Sequence, residues 1–531
     1  MVPLLLPPMH PMGLFLALSF LSSMVYGCYN LFLHPLRKVP GPLLAALSPF
    51  WQIYHFLGSH QHLEHIKLHE KYGHIVRVSP NTVIINDSTY FAEWSNWDKA
   101  DWWLALRADP VHLAHSNYHD VKEHSRRKKL IMGGYQLSAI LKNESTMDKH
   151  ILTWTDQLQA RVGTVIDFAP FTQYAAFDIV MDMVFSKPLG FLATASDVDG
   201  VISSLHGLLT SANIMALLPV LSKIIFTPWI FRYLAPKHTD KTGPGKVHGL
   251  AYAILRQRYK DLQESAVQHN DILQWIIDKN NPDSENGPMP WPVLEQESLG
   301  PILAGSDSVA AHLRAVVLYV STNPRVLVRL RAEIDAADEK GALSKIPQFQ
   351  EVRKHVPYVD LIMKEAMRIY PIVGSPLPKE VPKAGTVING YFIPGGTSVG
   401  ISQWAVTRNK EIFGDDVEVF RPERWEDATA AGAEAQDALD EIETESRYTP
   451  SETPDEEEAK RRLRDSGYVP FSLGPMMCTG RNIATMEIYK ITTQLFRLFD
   501  FQIVNAIQPW KEANKMAMVQ WDFFVKVTER A

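Results

Sequence analysis

Cysteine is almost absent: the chain of 531 residues has two, Cys28 and Cys478. That excludes a disulfide-stapled scaffold or a multi-cysteine zinc module, and it leaves one thiol for the body of the protein. An excess of positive charge is also lacking. Lys and Arg number 53 against 59 Asp and Glu, a net charge of −6, which argues against a general nucleic-acid binder. No Gly-x-Gly-x-x-Gly sequence follows a strand pattern, so a built-in flavin or nicotinamide fingerprint is missing. Residues 1–36 contain no Asp, Glu, Lys or Arg at all. What is present suffices for a large core, because 46% of residues are hydrophobic and 21% charged, a balance unlike that of a disordered chain.

The charge-free opening reads as a membrane anchor. Gly13 to Leu33 is 21 residues of apolar sequence, and a helix rising ~1.5 Å per residue spans a hydrocarbon layer of ~30 Å at that length. Arg37 and Lys38 follow directly, and positive charge on that flank places the downstream chain in the cytosol. A cleavable signal peptide needs a basic start, a shorter apolar core and a small-residue cleavage site, none of which is obvious. The expected organisation is an anchor over 1–36, a stiff Val39-Pro40-Gly41-Pro42 turn, and one catalytic domain over 37–531. Within that domain, 426–465 holds 14 acidic and 5 basic side chains, which leaves the rest of the chain at +3. Residues 426–466 therefore read as a solvated acidic insertion.

Most of the body has helical period. In Pro324–Glu339, Val326, Leu327, Leu330 and Ile334 fall on one face. Ile75–Ser79 and Thr82–Asn86 predict a hairpin about Pro80-Asn81, and Thr386–Ile388 with Tyr391–Ile393 predict another about Asn389-Gly390. The expected class is mainly α with small peripheral sheets.

The most informative stretch is FSLGPMMCTGRNIA, residues 471–484. Cys478 lies between Gly474 and Gly480, ahead of an apolar helical run from Ile483 to Leu498. Taken alone, such a cysteine is a nucleophile activated by a helix N-terminus, a buried structural thiol, or a metal thiolate whose glycines let a flat cofactor approach. A hydrolase nucleophile needs a histidine base, and the nearest in sequence is His355, 123 residues upstream.

The pattern F-x-x-G-x-x-x-C-x-G resembles the haem-binding loop of the cytochrome P450 superfamily. Three further stretches follow that family's order. Glu365 and Arg368 in KEAMRIYP share a helical face and by themselves would make an ordinary surface pair. Arg424 in FRPERW is the residue that, by resemblance, completes a Glu–Arg–Arg cluster beneath the haem loop. Ala304-Gly305-Ser306-Asp307-Ser308, in a long helical segment, is otherwise an unremarkable helix kink. It resembles the family's oxygen-binding groove, with Ser308 in place of the usual Thr. The resemblance covers roughly residues 30–530. YNLFLHPLRKVPGP and NKEIFGDDVEVFRPERW look most like fungal microsomal members of the pisatin-demethylase-like group.

The resemblance implies a cytochrome P450 fold and haem b ligated by Cys478, with Phe471, Gly474 and Gly480 shaping the loop. Asp307 and Ser308 would relay protons. Haem propionates usually meet arginines from three places, which here read Lys128, Lys379 and Met476, with His124 as a further contact. By family position Trp102, Trp103, Ala304, Val373, Leu377 and Ala517 line the substrate pocket, though Trp102 and Trp103 are adjacent and a core role fits them equally. The implied partners are O2, a lipophilic small molecule, NADPH–cytochrome P450 reductase and cytochrome b5, in the endoplasmic reticulum membrane. The basic run VKEHSRRKKL suits an acidic reductase or a merely solvated helix face. Ile214–Leu234 reads as a membrane-dipping rim or as two core helices. The implied activity is hydroxylation, epoxidation or O-demethylation in fungal secondary metabolism or detoxification. The competing reading is a cyclisation or isomerisation on the same fold without net oxygen insertion, against which the Asp307–Ser308 pair argues.

Overall fold

The computed structural model describes residues 11–264, 267, 269–284, 287–426 and 469–530. The acidic insertion expected over 426–466 lies outside them apart from its first residue. Helices dominate. Those of twelve residues or more are α1 (Pro11–Cys28), α2 (Gln61–Tyr72), α3 (Val121–Met132), α4 (Glu144–Gln159), α5 (Phe168–Phe185), α6 (Val201–Ala216), α7 (Gly243–Glu264), α8 (Trp291–Ala304), α9 (Asp307–Ser321), α10 (Pro324–Glu339), α11 (Tyr358–Ile369) and α12 (Arg481–Leu498).

Why these segments pack as they do follows from their patterning. In α10, Val326, Leu330, Ile334 and Ala337 are buried and Leu327 partly so, the expected single stripe of a surface helix. By contrast α5, α9 and α12 are buried on nearly every side. A helix apolar all round belongs at the centre of a large core, and these three share the main hydrophobic cluster with α11.

The sheets are small and peripheral. β1 (Ile75–Ser79) and β2 (Thr82–Ile85) form the first predicted hairpin; with β4 (Lys379–Glu380) and β7 (Ser398–Ile401) they give the order β1-β2-β7-β4. β5 (Thr386–Ile388) and β6 (Tyr391–Ile393) are the second hairpin. Its turn residues Asn389 and Gly390 have φ of 47° and 80°, the left-handed conformation that an Asn-Gly pair tolerates. β3 (Val165–Asp167) pairs with β11 (Phe524–Glu529), which pairs with β8 (Phe499–Ile503); β9 (Lys511–Lys515) pairs with β10 (Ala517–Trp521).

Two features differ from the sequence expectation. The long helical segment around Ala304 is broken: α8 ends at Ala304 and α9 begins at Asp307. Gly305 permits this, since a Cβ there would sit 2.6 Å from Val180 Cγ2 on α5 and 2.7 Å from the Pro301 carbonyl. The second difference is at the amino end, where packing into the body begins before residue 37. Leu36 is fully buried in the cluster that contains β1, β2 and β7, and the carbonyl of buried Asn30 accepts from Arg77 Nη1 at 3.0 Å. The apolar stretch Met12–Leu33 is long enough to cross a membrane and is almost wholly exposed.

Candidate active site

The cysteine loop is shaped by its own backbone. The Cys478 N–H donates to the Phe471 carbonyl at 2.7 Å, and the Met477 N–H to that of Gly474 at 3.0 Å. Gly474 has a φ of 55°. The N–H groups of Gly480 and Arg481, at the start of α12, point to the sulfur. Burial pushes the thiol's pKa up, and these amides with the charges of Lys128 and Arg481 oppose that without reversing it. Although ringed by protein, Cys478 is exposed, and so is Ala304, whose helical neighbours Ile302, Ser306 and Asp307 are buried. Exposure of single residues in the middle of a core requires open space beside them. A Cβ on Gly480 would likewise meet nothing within 4 Å.

Next to this loop lies a buried cluster of basic side chains, three lysines and a histidine, His124, whose pKa burial and the charge of Lys99 push down to about 3, which keeps it neutral. His124 and Lys128, one turn apart, point inward from α3, while Lys122, Arg126 and Lys129 face solvent. The basic run therefore divides between two faces, and Arg126 and Arg127 both bond Glu123. His124 Nε2 lies 3.0 Å from the Pro475 carbonyl, and Lys128 Nζ donates to Pro475 and Met477 carbonyls. Lys379, fully buried, donates to the Ser95 carbonyl and lies 5.1 Å from the Trp94 ring. Lys99 forms an isolated antiparallel bridge with Lys379 itself. Its ammonium donates to the Ser116 carbonyl, lies 3.4 Å from His124 Nδ1, and sits 4.8 Å from the Trp103 ring. Burial, reinforced by Lys379, Lys128 and Arg107 against the opposing charge of Glu297, pushes the Lys99 pKa down to about 7; burial, against the opposing charge of Asp98, takes Lys379 to about 8. Desolvated ammonium groups gathered this closely repel one another, and an anion among them would relieve that repulsion. Met476, in the Gly474–Met476 turn, adds no charge to the cluster.

Sequence reasoning missed Lys99, and it missed His115. The His115 ring is held by Glu297 of α8 at 2.7 Å, and its Nε2 lies 3.3 Å from Thr479 Oγ1 beside Cys478. The only available signal was a lysine embedded in the aromatic run WDKADWW. These histidines approach the loop at Thr479 and Pro475, while the sulfur's own partners are amides.

On the α8–α9 side, Ser308 Oγ donates to the Ala304 carbonyl across the break at 2.8 Å. Asp307 is 3% exposed. Its Oδ1 accepts from Gln173 Nε2 and from His206 Nε2 at 3.0 Å. Burial would raise its pKa, but the bond and charge of His206, the Gln173 amide and Arg314 leave it below the ordinary value. Gln173 is in turn fixed by Arg314 Nη2 at 3.0 Å.

Glu365 of α11 is fully buried with both oxygens saturated. Oε1 accepts from Arg368 Nη2 (2.8 Å), Arg424 Nε (2.9 Å) and the Arg421 N–H (2.9 Å); Oε2 accepts from Arg368 Nε (2.9 Å) and Trp425 Nε1 (2.9 Å). Arg368 also caps the carbonyls of Thr407 and Val417. Glu365 and Arg368, paired by their spacing, thus meet Arg424, expected from the resemblance, and Trp425 and a backbone amide join them.

The suggested pocket residues fall into two groups. Trp102, buried, packs with Leu377, Met516 and Ala216, while Trp103 turns to Lys99 and donates to the Pro378 carbonyl at 2.8 Å. Val373 forms an isolated antiparallel bridge with Ala517. Trp97, a few residues upstream, is buried in the hydrophobic cluster that contains Ile75, Val83 and Ile85 of β1 and β2.

A helical fold with peripheral sheets, a glycine-bounded cysteine at a helix start and a saturated Glu–Arg–Arg cluster define a class. The chain belongs to the cytochrome P450 family, whose family model matches residues 40–522. Among its relatives, pisatin demethylase from Fusarium vanettenii is 30% identical over 504 residues, 92% of this chain and 90% of that protein. Cytochrome P450 monooxygenase ABA1 from Pyricularia oryzae is 28% identical over 519 residues, 93% of each chain. Cytochrome P450 monooxygenase hepC from Aspergillus oryzae is 28% identical over 521 residues, again 93% of each. The protein is accordingly an oxidoreductase, a P450 monooxygenase. The family implies haem on a cysteine thiolate, a redox partner, O2 and a small-molecule substrate.

Proposed function

We propose that Cys478 ligates haem b and that the protein is a membrane-anchored monooxygenase of a small lipophilic molecule. The reaction is hydroxylation, epoxidation or O-demethylation in secondary metabolism or detoxification, in keeping with the names of its fungal relatives. One observation carries the reading. Cys478 and Ala304 both open onto interior space, with the basic cluster of buried Lys99, Lys379, Lys128 and His124 beside them. An iron ligand, room for a flat ring and a receptor for two propionates are the features a haem requires.

Held by Cys478 and the lysine cluster, haem would supply the activation of O2, one atom going to the substrate and the other leaving as water with two electrons and two protons. The chain's own residues do the rest. The Gly480 and Arg481 amides stabilise negative charge on the sulfur, and the lysine cluster holds the propionates. The Glu365–Arg368–Arg424 cluster keeps the segment 417–425 on α11 and so supports the loop from beneath. Asp307 receives protons through His206, and Ser308 hands them toward the space beside Ala304. Trp102, Leu377, Val373 and Ala517 position the substrate.

Electrons come from NADPH–cytochrome P450 reductase, with cytochrome b5 as a second donor, docking at the exposed Lys122, Arg126 and Lys129 face. The exposed Met12–Leu33 stretch anchors the protein in the endoplasmic reticulum with its catalytic domain cytosolic. The test is the reduced carbon monoxide difference spectrum. Cys478→Ala should abolish the thiolate-type band and turnover, while Cys28→Ser keeps both. Full activity in Cys478→Ala would overturn the ligand assignment.

A further inference from the structure

Away from the cysteine loop, three potential metal ligands converge where the molecule's exposed apolar helices join α8. His238 lies in the loop between the Pro228–Leu234 helix and α7, His248 in α7, and Glu295 in α8. Each offers one ligand atom, and the three atoms lie within 4.8 Å of one another. His238 Nε2 is 2.7 Å from Glu295 Oε1, and its ring stacks on Tyr252 at 4.4 Å, which fixes the ring plane.

His248 is the anomaly. It is 7% exposed, yet no hydrogen bond to its ring occurs among the described residues. The loop is built onto the helix at two glycines one turn apart. A Cβ on Gly249 would meet the His238 carbonyl at 2.4 Å, and one on Gly245 the Lys237 carbonyl at 2.4 Å. That close approach is what brings His238 beside His248.

We propose that His238, His248 and Glu295 bind one divalent transition-metal ion, best suited to zinc, that fastens this loop to α8. Two imidazoles and a carboxylate are a donor set zinc takes in tetrahedral sites with water as fourth ligand, whereas magnesium and calcium prefer all-oxygen cages. Ligand bonds of ~2.0–2.1 Å place donor atoms ~3.3 Å apart on a tetrahedron. The observed separations need adjust by up to about 1.5 Å, and His238, its side chain 42% exposed, has that freedom and gives the ion a route from solvent. Glu295 and His248 are buried and supply the rigid half of the site. Because the loop follows the exposed Pro219–Ile225 and Pro228–Leu234 helices, the ion would limit how far those helices swing from α8.

The test uses untagged, haem-loaded full-length protein freed of metal by chelation. Calorimetric titration with Zn2+ should give one equivalent and Mg2+ none. His248→Ala and Glu295→Gln should weaken the zinc equivalent beyond the ~10–100-fold that loss of even an outer-shell partner costs, and Zn2+ should no longer raise their thermal midpoint. Should either buried variant lose its haem spectrum, the loop variants His238→Ala and Gly249→Val keep the question open to measurement. Both should also lose the zinc equivalent, the second with all three ligands present. His112→Ala, outside the cluster, should retain it. Absence of a zinc equivalent in the parent, or one that survives within threefold in His238→Ala and Gly249→Val, overturns the proposal.

Discussion

Lys99, Lys128 and Lys379 present flexible point charges where a guanidinium would offer a planar fork, and Met476 presents no charge. Without an anion beside them, Lys99 and Lys379 sit at about 7 and about 8; a carboxylate at hydrogen-bond distance returns both toward the ordinary lysine range. Haem binding therefore takes up protons between those limits. Its full strength is present below about pH 7 and is lost as pH rises through 8 and beyond. Haem transfer to apomyoglobin should be faster at pH 9 than at pH 7. Met476→Arg should slow transfer and flatten its pH dependence, since arginine does not titrate there, whereas Lys128→Ala should hasten it. A bond to a charged group contributes about 1.5–3 kcal/mol before screening by solvent, enough for a severalfold change. Met476→Arg that folds but releases haem no more slowly would make Met476 a packing residue. A second expectation at this scale concerns Asp307. Its Oδ1 is bonded to Gln173 and His206, and its Oδ2 has no hydrogen bond among the described residues, so Asp307→Asn or Ser308→Ala should raise peroxide formed per NADPH. Unchanged coupling in both would count against the relay and favour chemistry without oxygen insertion.

Among the elements, α2 carries its own liability. His62, His65 and His69 are buried, and burial pushes them down to about 4, 3 and 4. His62 packs on Trp404 at 4.4 Å, and ring nitrogens of all three lack a hydrogen bond among the described residues. In the fold they are neutral, while unfolded histidine titrates near 6.5. Stability is thus complete above that value and lost as pH falls from about 6.5 toward 4. Three protons taken up on unfolding give a slope of up to about 4 kcal/mol per pH unit. Circular dichroism should show a steep acid transition in this range, and His65→Leu should make it shallower; an unaltered slope would assign acid lability elsewhere. How much of such detail was legible in sequence depended on how local its cause is. The α10 stripe and the Asn389-Gly390 hairpin follow from short-range periodicity and turn chemistry, and both form as written. A kink at Ala304–Ser308 was one reading of the sequence, but the close approach of Val180 on a distant helix to Gly305 was not legible, because it is a tertiary contact. Glu365 and Arg368 were recognisable by spacing, yet Trp425 and the Arg421 amide complete their cluster through tertiary contact. Lys99, His115 and Glu297 come from three remote segments, each unremarkable until the chain folds.

At the scale of the whole molecule, apolar surface is distributed unevenly. Besides the Met12–Leu33 stretch, Leu43, Leu44, Phe50, Tyr54 and Leu57 near the amino end are at least 59% exposed. Val220, Ile224, Trp229, Tyr233 and Leu234 are at least 50% exposed, and the Pro228–Leu234 helix buries no residue at all. These are therefore not two core helices, and the membrane-facing reading of Ile214–Leu234 is the one their exposure supports. Buried Leu36 and Asn30 also set where the apolar amino-terminal stretch can be removed. Cutting after residue 36 would take away the carbonyl that holds Arg77 and a core leucine, so removal of residues 1–28 is the informative truncation. Losing α1 deletes the span, but burying the remaining apolar side chains at ~25 cal/mol per Å2 still favours an interface. The truncated protein should bind haem normally yet remain partly on phospholipid vesicles in sedimentation. Adding Ile224→Glu and Trp229→Glu should release it, because each charge must then be held in the headgroup layer without a partner. If truncation alone gives a fully soluble protein, the exposed helices meet something other than lipid. If the doubly substituted form stays on vesicles, the Leu43–Leu57 surface carries the attachment.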